Sequence, residues 1–264
     1  MQELGETMTN IEIADSPPFR FRLVPIIVII VLGTGLPILA AILAQIAIRL
    51  LHLPVTPGAN APWLYVHHTA QLLLALIAIV VAKRVVPGDY GLHLPRGKTY
   101  VRAAVLWGLF FGVLMTVVDY LPQILARTAP HLDYALTTPN VLAWLGFEGI
   151  YVGPTEEIPF RALLVTYLAA AMPGRIRFFR YNMNAAGVII ALIFALAHAS
   201  SFSTEPWAFA LGQQIYAFAL GVLYAYWLEK SRSVLAPAVG HNVSDVTEYA
   251  LLFLMVALWP STHI

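Results

Sequence analysis

Glu156, Glu157 and Arg161 lie inside an otherwise apolar stretch, in the run Gly153-Pro154-Thr155-Glu156-Glu157-Ile158-Pro159-Phe160-Arg161. Ionisable groups at bilayer depth are costly, so they turn toward a bundle interior and mark functional sites. Glu157 and Arg161 are four residues apart, which puts them on one helical face with the acidic residue first, the favourable order. Their pairing would neutralise both. Glu156 points about 100° away and has no such local partner. That leaves it free to act as a general base, taking a proton from a water as the water attacks. Pro154 can open a helical segment. Pro159 removes a hydrogen bond to the carbonyl near Thr155 and loosens the backbone beside the carboxylates. The plainer reading of the cluster is a structural ion-pair network that joins helices.

Two further stretches carry polar residues at helical spacing. Phe194 and His198 are four apart on one face, with alanines beside them that let helices approach closely. His241, Asp245 and Glu248, spaced four and then three, share a face of another helix. Pro237 and Gly240 can bend that helix just before His241. A packing histidine and a polar stripe along a wet crevice are the corresponding plainer readings. Together Glu156, His198, His241 and Asp245 have the donors for a zinc site with a water left open, and zinc would activate that water. A metal-free Glu–His pair would do the same work. There is no His-Glu-x-x-His motif. Ser200, Ser201 and Ser203 follow His198 without a Gly-x-Ser-x-Gly pattern, which disfavours a serine nucleophile. The chain has no cysteine, so it has neither thiolate chemistry nor disulfides. His67, His68, Asp119 and Glu148 read as interface or snorkelling residues.

The elements that must position these groups are membrane helices. Of 264 residues, 59% are hydrophobic and only 11% charged, with a mean hydropathy of +0.76. A soluble domain carries about 25% charged residues, so the bilayer is this chain's solvent. A net charge of +1 disfavours a nucleic-acid partner. A span needs about 20 mostly apolar residues. Seven segments qualify, at roughly 22–51, 62–82, 101–122, 140–171, 184–203, 207–228 and 233–259. The first and fourth exceed one crossing, which leaves an eighth span open. The expected fold class is all-α, a polytopic transmembrane helical bundle of seven or eight spans. Residues 1–19 read as a polar cytoplasmic tail, 20–139 as N-terminal transmembrane helices, and 251–264 as the end of the last span and a tail.

Orientation follows from the basic residues. Arg20, Arg22, Lys83, Arg84, Arg96, Lys98, Arg102, Arg175, Arg177, Arg180, Lys230 and Arg232 fall on one side of a seven-span path, and only Arg49 and Arg127 on the other. The N-terminus is therefore expected in the cytoplasm. Counted inward from the basic ends, Glu156 and His198 lie at similar depth, about 28 and 27 Å along their helices. His241 and Asp245 are shallower, at about 14 and 20 Å. Trp63, Trp207 and Trp259 fall at span ends as belt anchors.

In this order, Glu-Glu-x-x-x-Arg (156–161), Phe-x-x-x-His (194–198) and His-x-x-x-Asp (241–245) resemble the CPBP intramembrane protease family of CAAX prenyl endopeptidases and bacteriocin-processing proteins. The resemblance covers about residues 140–250. It implies that Glu156 and His198 activate a water, that His241 and Asp245 hold the oxyanion, and that Glu157, Arg161 and Phe194 support them. Two residues depart from the common pattern. Ala162 follows the arginine where glycine is frequent, and Asp245 stands where the prenyl proteases usually have asparagine. An ionised aspartate only accepts hydrogen bonds. Asp245 would have to be protonated, orient His241 or ligate a metal.

The expected activity is hydrolysis of a peptide bond in a membrane-anchored peptide or protein, CAAX-like or leader-peptide in kind. The expected setting is the lipid bilayer of a bacterial or archaeal cytoplasmic membrane. A non-catalytic scaffold or immunity-type relative is the second reading, and a proton-coupled transporter the third. The absence of inverted repeats disfavours the transporter.

Overall fold

The computed structural model describes residues 21–53, 61–178 and 181–259. The tail at 1–19, Arg20, Arg180 and residues 260–264 lie outside them. The protein is a helical bundle. Helix α1 spans Leu23–Leu51, α2 Ala61–Val85 and α3 Val101–Ala126. The fourth helical run crosses 138–171 without interruption but changes pitch. It passes from α4 (Thr138–Gly146) through a π-helical segment (Phe147–Tyr151) to α5 (Val152–Glu157), then through a second π segment (Ile158–Val165) to α6 (Thr166–Ala171). A small antiparallel hairpin, β1 (Arg175–Phe178) and β2 (Tyr181–Asn184), leads to α7 (Ala185–Ala197) and the short α8 (Ser201–Thr204). Helices α9 (Trp207–Ser231) and α10 (Leu235–Leu258) complete the bundle.

Local chemistry sets several of these boundaries. The Thr137 side chain caps α4 by accepting from Asn140 N–H, and Asn184 caps α7 by accepting from Ala186 N–H. Helices α1, α3 and α9 stop on left-handed residues, His52, Arg127 and Arg232, whose N–H groups return to the last turn. Two segments differ from the sequence expectation. Helix α3 continues to Ala126, past non-helical backbone at Tyr120 two residues before Pro122. The fifth span is broken at His198, and the link before it folds back as the hairpin rather than running as a plain loop.

Among the described residues, five stretches are long and apolar enough to cross a membrane: Leu23–Leu51, Ala61–Val85, Val101–Ala126, Ala185–Thr204 and Trp207–Ser231. Large apolar side chains such as Ile27, Ile42 and Leu50 on α1 stand exposed on their outer faces, as a bilayer solvent permits. The run 138–171 and α10 are the two that carry the clustered polar residues. Their polar faces turn inward, where Glu157, Arg161, His241 and Ser244 are buried.

The basic ends gather at one pole of the bundle. Arg22 Nη1 donates to Ala171 O at 3.1 Å, Arg175 pairs with Glu229 at 2.7 Å, and Val234 N–H donates to Gly91 O at 3.0 Å. Helix α10 is then drawn against α3 and the fourth run by small residues. A side chain at Gly112 would sit 2.5 Å from Ser244 O, and one at Gly153 would sit 2.6 Å from Asn242 Oδ1. Both positions need a bare Cα for the backbones to approach.

Candidate active site

Two prolines in the fourth run each remove an N–H that would bond the carbonyl four residues back. Pro154 frees Ile150 O, and Pro159 frees Thr155 O. A carbonyl left unpaired in a membrane interior is expensive, so each needs a replacement donor. Asn242 of α10 supplies the first, with Nδ2 donating to Ile150 O at 3.2 Å, and its Oδ1 accepts Gly153 N–H at 2.7 Å. Gln71 of α2 supplies the second, with Nε2 donating to Thr155 O at 3.2 Å. The wide π turns beside Glu156 and Glu157 are thus pinned from both flanking helices. Such π segments often occur at functional sites.

The adjacent carboxylates face different partners, as their 100° separation requires. Glu157 and Arg161 are both fully buried, with Arg161 Nε 3.0 Å from Glu157 Oε2. This is a close ion pair rather than a well-aligned hydrogen bond, and Nη1 and Nη2 find no acceptor among the described residues. Aromatic faces cover the cation instead: the Arg161 guanidinium carbon lies 4.3 Å from the Phe194 ring centre and 5.5 Å from that of Tyr224. The other oxygen of Glu157 lies 2.7 Å from His241 Nδ1. Glu157 therefore fixes the second histidine as well as balancing the arginine.

Glu156 is not left without a partner. Its Oε1 lies 3.2 Å from His68 Nε2, and its Oε2 lies 3.8 Å from His241 Nε2. His198 acts on it electrostatically. The His68 ring is held in turn by Leu64 O, 2.9 Å from Nδ1, which leaves Nε2 to face the carboxylate. The reading of His68 as an interface residue is therefore corrected: it lies 7% exposed at the centre of the bundle. The spacing His68/Gln71 on α2 was the available signal. Residues three apart share a face, and here they grip consecutive residues of the fourth run, Thr155 through its carbonyl and Glu156 through its side chain.

His198 ends α7, with Nδ1 2.9 Å from Phe194 O. The Phe194 ring is a hub. It lies 5.0 Å from the His198 ring, 6.1 Å from that of His241 and 4.9 Å from that of Phe160, and it also covers Arg161. His241 stacks on Tyr224 at 5.8 Å, and its Nε2 lies 3.2 Å from Asp245 Oδ2. Ser244 Oγ donates to Asp245 Oδ1 at 2.9 Å. Carboxylate oxygens only accept, so each His241 nitrogen faces an acceptor when those acids are ionised.

Glu148 is also corrected from a snorkelling residue: it is 6% exposed, inside the bundle, where its charge acts on Tyr249. Asp119 is half-buried; Tyr216 Oη donates to its Oδ2 at 3.0 Å, and the Glu248 carboxylate of α10 acts on it through its charge. Glu248 thus stands with Asp119, apart from His241. Among the described residues no three His, Asp or Glu side chains form a metal-ligating group. His241, with both ring nitrogens turned to carboxylates, has no free lone pair aimed at a shared ion. The donor set as arranged does not fit zinc.

Residues 138–247 match the family described as type II CAAX prenyl endopeptidase Rce1-like. This is a protease family. No curated protein and no solved structure matches the chain. The matched stretch contains Glu156, Glu157, Arg161, Phe194, His198, His241 and Asp245. His68 and Gln71 lie outside it, on α2.

His68→Leu should lower the rate of peptide cleavage while leaving the helical content unchanged. A hydrogen bond to a charged group is worth about 1.5–3 kcal/mol, which corresponds to a loss of about ten- to a hundredfold. Steady-state cleavage assays check this, and an unchanged rate would remove His68 from the site.

Proposed function

We propose that this chain is an intramembrane endopeptidase that hydrolyses a peptide bond of a membrane-anchored, CAAX-like or leader-peptide substrate. One observation carries the reading: the Glu156 carboxylate lies 3.2 Å from His68 Nε2 and 3.8 Å from His241 Nε2, with His198 acting on it through its charge, and these histidines come from three different helices. A lone structural carboxylate needs one partner, and three ionisable partners around it suit proton transfer.

In the proposed reaction a water lies between Glu156 and His198. Glu156 takes its proton as the oxygen attacks the scissile carbonyl carbon, and the carbonyl oxygen becomes an oxyanion. His241, held at Nδ1 by Glu157, presents Nε2–H to that oxygen. Asp245 orients the His241 ring in the resting site, the role open to an ionised aspartate. The tetrahedral carbon then expels the amine as the C–N bond breaks, and the proton held by Glu156 passes to the leaving nitrogen. Aromatic packing by Phe194 and Tyr224 keeps the histidines in register. The gathering of basic residues at one pole supports an N-terminus in the cytoplasm.

The test is incubation of the purified chain in proteoliposomes with prenylated and unprenylated membrane-anchored peptides, with and without a chelator, with products read by mass spectrometry. Cleavage that persists with the chelator is the expected result. Chelator-sensitive cleavage would overturn the metal-free mechanism. Binding of every peptide without any cleavage would overturn the peptidase reading in favour of a scaffold.

A further inference from the structure

A second recess, remote from Glu156, opens on the flank of the bundle between α3 and α9. It has a volume of about 740 Å³ and a largely apolar lining. None of Glu156, His198, His241 or Asp245 lines it. Its long walls are one face of each helix: Arg102, Leu106 and Phe111 on α3, and Val222 and Leu223 on α9. From Arg102 to Phe111 the groove runs about 14 Å along the helix, close to the depth of one leaflet's hydrocarbon, about 15 Å.

The mouth lies at the basic pole and carries two cations. Lys98, just before α3, and Arg102, in its first turn, are exposed, and among the described residues neither is paired with a carboxylate. The Lys98 ammonium lies 4.9 Å from the centre of the Tyr100 ring, which holds it at the rim. Two unneutralised cations above an apolar trough of leaflet depth are complementary to one class of molecule, with an anionic head and a long apolar chain. Basic pockets between membrane helices bind such head groups. A zwitterionic lipid brings the same phosphate but also a cation of its own, which the two side chains repel.

We propose that this groove seats one anionic phospholipid, its phosphate between Lys98 and Arg102 and an acyl chain along Leu106, Phe111, Val222 and Leu223. This site is independent of the peptidase reading, because it uses none of the residues assigned to hydrolysis.

The full-length protein reconstituted in nanodiscs of mixed phosphatidylglycerol and phosphatidylcholine with identical acyl chains provides the test. Native mass spectrometry after release should show one retained phosphatidylglycerol. With about 1 kcal/mol per cation near the surface, the K98Q/R102Q double variant should lose about thirty-fold of the preference for the anionic lipid. Ala219→Trp, which fills the apolar wall, should reduce retention of both lipids, with circular dichroism confirming an intact fold. Equal retention of phosphatidylcholine, or a preference that survives K98Q/R102Q, would overturn the proposal. Displacement of the lipid by a prenylated peptide would also overturn it, by making the groove a substrate channel. None of these readouts requires cleavage, so a failure here is separable from a failure of the peptidase reading.

Discussion

Glu156→Gln is expected to reduce peptide hydrolysis by about a thousandfold without unfolding the protein, the middle of the range for removing a general base. The substitution keeps the shape of the side chain and its carbonyl oxygen, so His68 still has an acceptor 3.2 Å away. What disappears is the capacity to receive a proton. The carboxylate is 19% exposed toward the site, so its loss leaves no buried charge stranded. Thermal unfolding in detergent should therefore move little, while single-turnover cleavage falls steeply. The double variant Glu156→Gln/His198→Ala should be little slower than Glu156→Gln alone, because groups that act on one water are far from additive. Cleavage by Glu156→Gln at a rate near that of the native chain would remove Glu156 from the chemistry.

The sequence showed this site unevenly, for physical reasons. The Glu157–Arg161 pair was legible because both partners sit on one helix, where a spacing of four is a distance. The freedom of Glu156 was misread by the same logic. Its partner His68 lies on another helix, 88 residues earlier, and no local period reveals a contact between helices. Glu148 was read as an outer residue because distance along the helix axis was taken for depth. The bundle buries it where α10 crosses the fourth run. Five of the expected apolar segments came through as helical stretches long enough to cross a membrane, because apolar length is a property of a single segment. The break at His198 did not come through. A stretch of alanine, leucine and phenylalanine gives no stop signal, and the turn after it depends on hydroxyls such as Ser201, whose Oγ bonds His198 O at 2.8 Å. Pro154 and Pro159 announced loosened backbone but not its repair. Asn242 and Gln71, the amides that take up the freed carbonyls, are recognisable only once three helices stand side by side.

Arg161→Met is expected to be the most destabilising single change in the site, because it leaves the fully buried Glu157 carboxylate without its permanent cation and with only His241 against it. Breaking one side of such a pair costs about 3–5 kcal/mol. Denaturant or thermal unfolding in detergent should register a loss of that size. Removing both charges together, in Glu157→Gln/Arg161→Met, should return much of it, since a buried pair replaced by neutral groups is often close to neutral in stability. Activity should not return with it. Glu157 also holds His241 Nδ1 at 2.7 Å, and a glutamine cannot supply the negative charge that fixes that imidazole. The double variant therefore separates two roles carried by one side chain. Recovered stability with lost cleavage assigns Arg161 to the neutralisation of Glu157, and Glu157 to the positioning of His241. Recovery of both stability and cleavage would show that His241 needs no carboxylate behind it, and would remove Glu157 from the mechanism.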